Sequence, residues 1–119
     1  MKSENLVQEK SYLFALRIIK LSRFLNANGE YVLSKQILRS GTSIGANVEE
    51  AIGCYSSKDF LAKFSIVYKE ARETHYWLRL LKDSKCLDEK QATSLLLDCE
   101  QLLRIIGSIQ KTLKSKLKS

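Results

Sequence analysis

Few residues of this chain have side chains that could do covalent or acid–base chemistry: a single histidine, His75; three cysteines, Cys54, Cys86 and Cys99; and two close glutamate pairs, Glu49/Glu50 and Glu70/Glu73. Paired carboxylates can serve as general acid and base or hold a divalent metal. Di-metal centres inside helical bundles also need Glu-x-x-His on two helices. Here Arg72 stands three residues before His75 and Ala71 four before it, so that pattern is absent. A cysteine nucleophile needs a histidine beside it, and no spacing ties His75 to a thiol. An odd cysteine count without paired spacing gives no disulfide framework and suits a reducing compartment. Small thiols on apolar or near-apolar helix faces, as expected for Cys54 and Cys99, are ordinary core material. The expectation is a non-enzyme with no catalytic residue, no metal and no cofactor.

The stretch "LRSGTSIGANVEEAIGCYSSKDF", residues 38–60, concentrates glycine among segments that otherwise read as helix. It is no phosphate-cradling loop, because Gly41 and Gly45 are four apart and Ala46, not Gly-Lys, follows. A dinucleotide fingerprint would need a preceding strand and a third glycine in register. Gly41-x-x-x-Gly45 instead puts both glycines on one helical face. Each costs about 1 kcal/mol of helix propensity against alanine, so a close helix crossing is expected to offset them. Along the same helix Arg39, Ser43, Asn47 and Glu50 step by four, four and three into one polar stripe. On the next, Lys63, Glu70, Glu73 and Trp77 share a face, with Ile66 among them. The two stripes are expected to form a structural polar network, with Arg39 bridging Glu70 or Glu73.

Charge supplies the other candidate site. The formal net charge is +7. The terminal "KTLKSKLKS" carries Lys111, Lys114, Lys116 and Lys118 and no acid, while Lys10, Arg17, Lys20 and Arg23 line the first helical segment. Such cations grip phosphates by releasing counterions, with little base specificity. The same lysine tail also complements a helix dipole and aids solubility. No recognition-helix signature, zinc spacing or aromatic RNA-binding set accompanies them.

These residues must be positioned by helices. The chain has 119 residues, 45% hydrophobic and 28% charged, and no proline. That is one domain, with a core of useful size and nothing to interrupt long helices. Four apolar seams at 3.5-residue spacing define helices over about 5–26, 32–55, 57–83 and 89–117. They are Val7-Ser11-Phe14-Ile18-Leu21-Leu25, Ile37-Gly41-Ile44-Val48-Ala51-Tyr55, Phe60-Phe64-Val67-Ala71-Thr74-Leu78-Leu81 and Ala92-Leu95-Cys99-Leu102-Ile106-Ile109-Leu113. Gly29 marks the first turn. Ser56 with Asp59, and Asp88 with Gln91, form capping-box patterns before the third and fourth helices. The fold class expected is all-α, an up-down-up-down antiparallel four-helix bundle. The first helix is apolar on more than one side, with Leu6, Leu13 and Leu16 on a second arc and Tyr12 and Ile19 on a third. A bundle helix needs one stripe, so self-association is expected. The opening "MKSENLVQEK" lacks a secretory core and no apolar run is long enough to cross a bilayer, which predicts a cytoplasmic protein without a membrane partner.

The segments "LSKQILRSGTSIGANVEEA" and "KDFLAKFSIVYKEARETHYWLRLL" resemble the bacterial four-helix-bundle proteins encoded in 23S rRNA intervening sequences. That family is taken to include the accessory variability protein of diversity-generating retroelements. The shared pattern falls on Arg39, Ser40, Ser43, Ile44, Asn47, Val48 and Glu50, then on Phe60, Lys69, Glu70, Ala71, Glu73, Tyr76, Trp77 and Leu78. The resemblance implies a ring-like homopentamer, non-enzymatic, with nucleic acid as partner, RNA or an RNA–DNA hybrid. A competing reading makes the ring an adaptor that docks a protein such as a reverse transcriptase or a ribosomal component. A third, an enzyme built on the glutamates, would require a divalent metal and Glu70.

Overall fold

Residues 2–118 are described by a computed structural model that is almost entirely helical. Four helices follow one another: α1 (Lys2–Ala27), α2 (Tyr31–Ile52), α3 (Ser57–Asp83) and α4 (Glu89–Lys118). Each packs antiparallel on its predecessor and α4 returns to α1, giving an all-α four-helix bundle with extents of 51 × 21 × 19 Å.

Local chemistry sets the helix ends. α1 closes in a Schellman motif: the Glu30 N–H donates to Leu25 O at 2.8 Å and the Gly29 N–H to Asn26 O at 3.1 Å. Gly29 takes the left-handed position that motif requires, with φ of 81°. α3 ends the same way, with the Cys86 N–H on Leu81 O and the Lys85 N–H on Lys82 O. There the left-handed position falls on a lysine, Lys85, at φ 61°. Ser56 caps α3, its Oγ accepting from the Asp59 N–H at 3.1 Å, and Asp88 Oδ1 accepts from the Gln91 N–H at 2.9 Å before α4.

The seams point inward. All the seam residues of α1 and α4 are buried, and those of α3 are buried apart from half-buried Phe60, which stacks on Phe64 with ring centroids 4.8 Å apart. The exception is Tyr55, expected in the second seam and fully exposed at 105%. α2 stops at Ile52, with Gly53 at its C-cap and the Cys54 N–H turned back onto Ala51 O, so Tyr55 lies beyond the helix. Cys54 likewise sits half-buried in the link rather than on a helix face.

Small residues let α2 approach its neighbours. A Cβ at Gly41 would lie 2.8 Å from both Cγ1 and Cγ2 of Ile18, and one at Gly45 would lie 3.4 Å from the Ser11 carbonyl oxygen. Buried hydroxyls fill the same seams. The Ser34 hydroxyl donates to Ser22 O at 2.9 Å, which leaves the Ser22 hydroxyl to donate to Ser34 Oγ at 2.7 Å. Between α2 and α3, Thr74 Oγ1 lies 2.9 Å from Ser40 Oγ and 2.8 Å from Glu70 O. α1 and α4 meet least, and shallow clefts remain between them.

Candidate nucleic-acid interface

The cations singled out in the sequence occupy two places. Lys10 and Arg17 border the α1–α4 crevice and are engaged with α4. Lys10 Nζ donates to Gln101 Oε1 at 3.4 Å; Arg17 Nη1 donates to Asp98 Oδ2 at 2.6 Å and Nη2 to Ser94 Oγ at 3.2 Å. Lys20 and Arg23 lie further along α1 and are exposed.

Lys111, Lys114, Lys116 and Lys118 are exposed on the last turns of α4. Lys10 is level with Gln101, and Lys111 lies ten residues beyond it. At 1.5 Å per residue the tail begins about 15 Å from the nearest cation of the α1 row. The two groups are therefore separate patches. The antiparallel topology brings the tail to the end of the bundle where α1 and α3 begin, and so to the exposed Lys2 and Lys58. Sequence reasoning passed over those two lysines, because only the connectivity collects them with the tail.

The polar stripes of α2 and α3 meet as two bridges. Arg39 Nη1 donates to Glu70 Oε2 at 3.2 Å, Arg39 Nη2 pairs with Glu73, and Trp77 Nε1 donates to Glu73 Oε2 at 2.9 Å. Glu50 pairs separately with Lys63 at 2.6 Å. Ser43 and Asn47 stay within α2, the Asn47 amide donating to Ser43 O and Oγ at 2.8 and 2.9 Å. The remaining candidates also have partners. Glu49 accepts from the Gln8 amide at 3.0 Å, and His75 Nε2 lies 2.9 Å from Glu100 across α3 and α4. Glu70 and Glu73 thus share Arg39, while Glu49 and Glu50 are engaged by Gln8 and Lys63, and no group of three or more metal-ligating side chains is found among the described residues. Burial, reinforced by Glu100 and Asp98, pushes the Cys99 thiol up to about 12, and its Sγ sits 3.4 Å from Ala71 O. Such a thiol carries almost no nucleophilic thiolate near neutral pH. No helix among the described residues is long and apolar enough to cross a membrane.

The fold and its surface define a basic four-helix-bundle protein whose recognisable side chains serve helix–helix bridging. Its sequence matches the family described as 23S rRNA-intervening sequence protein over residues 3–108. The chain belongs to that family. It is also similar to a crystal structure of a protein of unknown function from the S23 ribosomal protein family of Bacteroides thetaiotaomicron. The two share 46% sequence identity with a TM-score of 0.89, over 92% of this chain and 98% of that one. No curated protein matches.

Proposed function

We propose that the protein is a non-enzymatic, oligomeric RNA-binding protein of the cytoplasm that holds its ligand by the phosphates. The supporting observation is where the charge lies. From residue 101 onward there are five cations and no acid, Arg104 and the four tail lysines, and all of them are exposed. A second set, Lys10, Arg17 and exposed Lys20, borders the α1–α4 crevice, and Arg23 is exposed further along α1. A family named for an insertion in 23S rRNA makes RNA the favoured polyanion. Self-association would multiply each patch around one axis, as the five-membered ring expected from the resemblance would do. Leu6, Leu13 and Leu16, exposed on α1, would supply the contact.

The test is binding of a structured RNA hairpin across a salt series, read by fluorescence anisotropy. The logarithm of the affinity should fall linearly with the logarithm of salt concentration. Replacing Lys111, Lys114, Lys116 and Lys118 with glutamine should reduce the slope by roughly 3 to 4, at about 0.9 per phosphate contact. Absence of binding to any RNA at low salt overturns the reading.

A further inference from the structure

Lys58, Lys69 and Arg72 stand exposed on the outer side of α3, away from the side that Lys63, Glu70 and Glu73 turn to α2. No ion pair holds them among the described residues. On α4, Glu100 faces α3, its carboxylate 2.9 Å from His75. Arg104, Lys111, Lys114 and Lys118 continue that stripe at steps of four, seven, three and four, and all four are exposed. Gly107, also in the stripe, adds no side chain. With Gln110, Lys111, Lys114, Ser115 and Lys118 it lines an open groove of about 460 Å³ that contains no acid.

The Gln110 amide donates to Phe64 O at 3.4 Å, which sets the antiparallel register of α3 and α4. Arg104, six residues before Gln110, falls opposite residue 70, two from Arg72. Lys118, eight residues after Gln110, falls opposite residue 56, two from Lys58. Two cation rows therefore run side by side, each 14 residues or about 21 Å long, on helices roughly 8–10 Å apart. The nearby acids do not neutralise them. Glu100 is held by His75, and Glu70 and Glu73 by Arg39. Asp59 lies one turn before Lys63, on the side that meets α2. Asp83, Asp88 and Glu89 lie beyond the rows, at the end of the bundle opposite the lysine tail.

Another copy of this chain is a poor match for these rows. The apolar strip available for self-association is on α1, which does not pack on α3. In a ring, that strip would meet a different face of the next copy. Against the α3–α4 rows it would bring exposed Lys2, Lys20 and Arg23, with Glu9 as the only exposed acid described on α1. Like charges across an interface cost affinity. Two parallel cation rows instead suit the two phosphate strands of a double helix. Duplex RNA is held through phosphates and 2′-hydroxyls across its wide minor groove, whereas unpaired strands depend on aromatic platforms. Such platforms are scarce here. Tyr76 already carries the Arg79 guanidinium 5.8 Å from its ring centroid and meets Trp77 edge-on at 5.2 Å, and Tyr68 is 36% exposed.

Building on the RNA reading above, we propose that the α3–α4 face binds double-stranded RNA. Lys58, Lys69 and Arg72 grip one phosphate strand, and Arg104, Lys111, Lys114 and Lys118 grip the other.

The experiment titrates the full chain into an RNA duplex of about 16 base pairs, its single strand and the DNA duplex of the same sequence, across a salt series. The RNA duplex should bind roughly fivefold or more tighter than either. Arg72→Gln combined with Arg104→Gln should reduce the duplex salt slope by about 1.8, at about 0.9 per lost contact. Lys35→Gln combined with Lys90→Gln removes the same charge from exposed positions on α2 and at the start of α4, and should leave the slope unchanged. Both double variants should keep the parent's sedimentation mass and Tm, because all four side chains are exposed. A first double variant with the parent's slope, an equal slope loss in both double variants, or a single strand bound as tightly as the duplex overturns the face proposal and leaves phosphate binding intact. A DNA duplex bound as tightly as the RNA duplex removes RNA as the occupant. A changed assembly mass in the first double variant shows that another copy covers the face and overturns the proposal too. No binding of any strand or duplex at low salt defeats both readings together.

Discussion

Gly41 of α2 faces Ile18 of α1 so closely that a single added carbon would stand 2.8 Å from two of that side chain's atoms. Ile18 is fully buried and β-branched, with one strongly preferred χ1 in a helix, so it cannot swing aside without disturbing the core around it. The glycine that weakens α2 as an isolated helix is what allows the α1–α2 crossing.

That relationship predicts opposite outcomes for the same substitution at two helical glycines. Gly41→Ala gains about 1 kcal/mol of helix propensity but overpacks a closed seam, at a cost of about 1–3 kcal/mol, and should destabilise on balance. Gly107 in α4 has nothing within 4 Å of where its Cβ would stand. Gly107→Ala should therefore stabilise by up to about 1 kcal/mol. Urea unfolding of the two variants, with m-values compared to the parent, checks both signs.

Lys85 supplies a second test of backbone conformation. It occupies the left-handed position of the Schellman motif that ends α3, at φ 61°, where a Cβ is disfavoured by roughly 1–2 kcal/mol. Lys85→Gly removes that strain and adds some unfolded-state entropy, for a net gain of about 0.5–1 kcal/mol. Thermal unfolding should show a rise in Tm of a few degrees. An unchanged or lower Tm would mean that the lysine side chain contributes more than its backbone strain costs.

These positions mark how far the sequence could be read. The seams at 3.5-residue spacing locate the core, because register decides which side of a continuing helix faces inward; Ser11, Thr74 and Cys99 lie inside by register despite being polar or small. Gly29 announced the end of α1 because glycine tolerates a positive φ. Lys85 gave no such signal, since lysine has no preference for that conformation. Tyr55 was misplaced because the helical period runs on past Gly53, where the chain turns. The Arg39–Glu70 and Arg39–Glu73 bridges followed from matching stripes on consecutive helices. The separation of the lysine tail from the α1 cations did not, because it depends on how α4 returns beside α1. The α3–α4 rows escaped for a similar reason: Arg72 and Arg104 are distant in sequence and come nearly level only once the bundle closes.

Cys99 should behave unlike the other two thiols. Its ionisation is raised from 9.0 to about 12, first by burial and then by the negative charges of Glu100 and Asp98. Cys54 and Cys86 are partly exposed. With a disulfide reagent at pH 8, those two should react in the folded protein and Cys99 only on unfolding. The sign of the pH effect follows. Above about pH 9 the unfolded chain releases the Cys99 proton while the folded chain keeps it, so the unfolded state binds fewer protons and stability falls as pH rises toward about 12. Cys99→Ala should flatten the part of that alkaline decline which belongs to this thiol. Identical pH profiles for parent and variant would show that the buried thiol is not its source.

Self-association is tested most directly on the outer side of α1. Leu13 is 51% exposed and Tyr12 64%, with Leu6 and Leu16 nearby on the same helix. A few leucines do not make a stable interface, which buries about 1,200–2,000 Å² in total, but the outer side of a 26-residue helix is long enough to anchor one. Leu13→Lys places a strongly hydrated charge at the centre of that strip. It should leave the monomer fold intact, since the side chain does not belong to the core, yet reduce the assembly mass seen by light scattering or sedimentation. Lys2→Gln, on an exposed terminal residue of the same helix, should leave the mass unchanged. If the parent protein already sediments as a single chain at micromolar concentration, the exposed leucines are solvent-facing and the basic patches act singly. The salt slope for RNA would then report only the cations of one protomer.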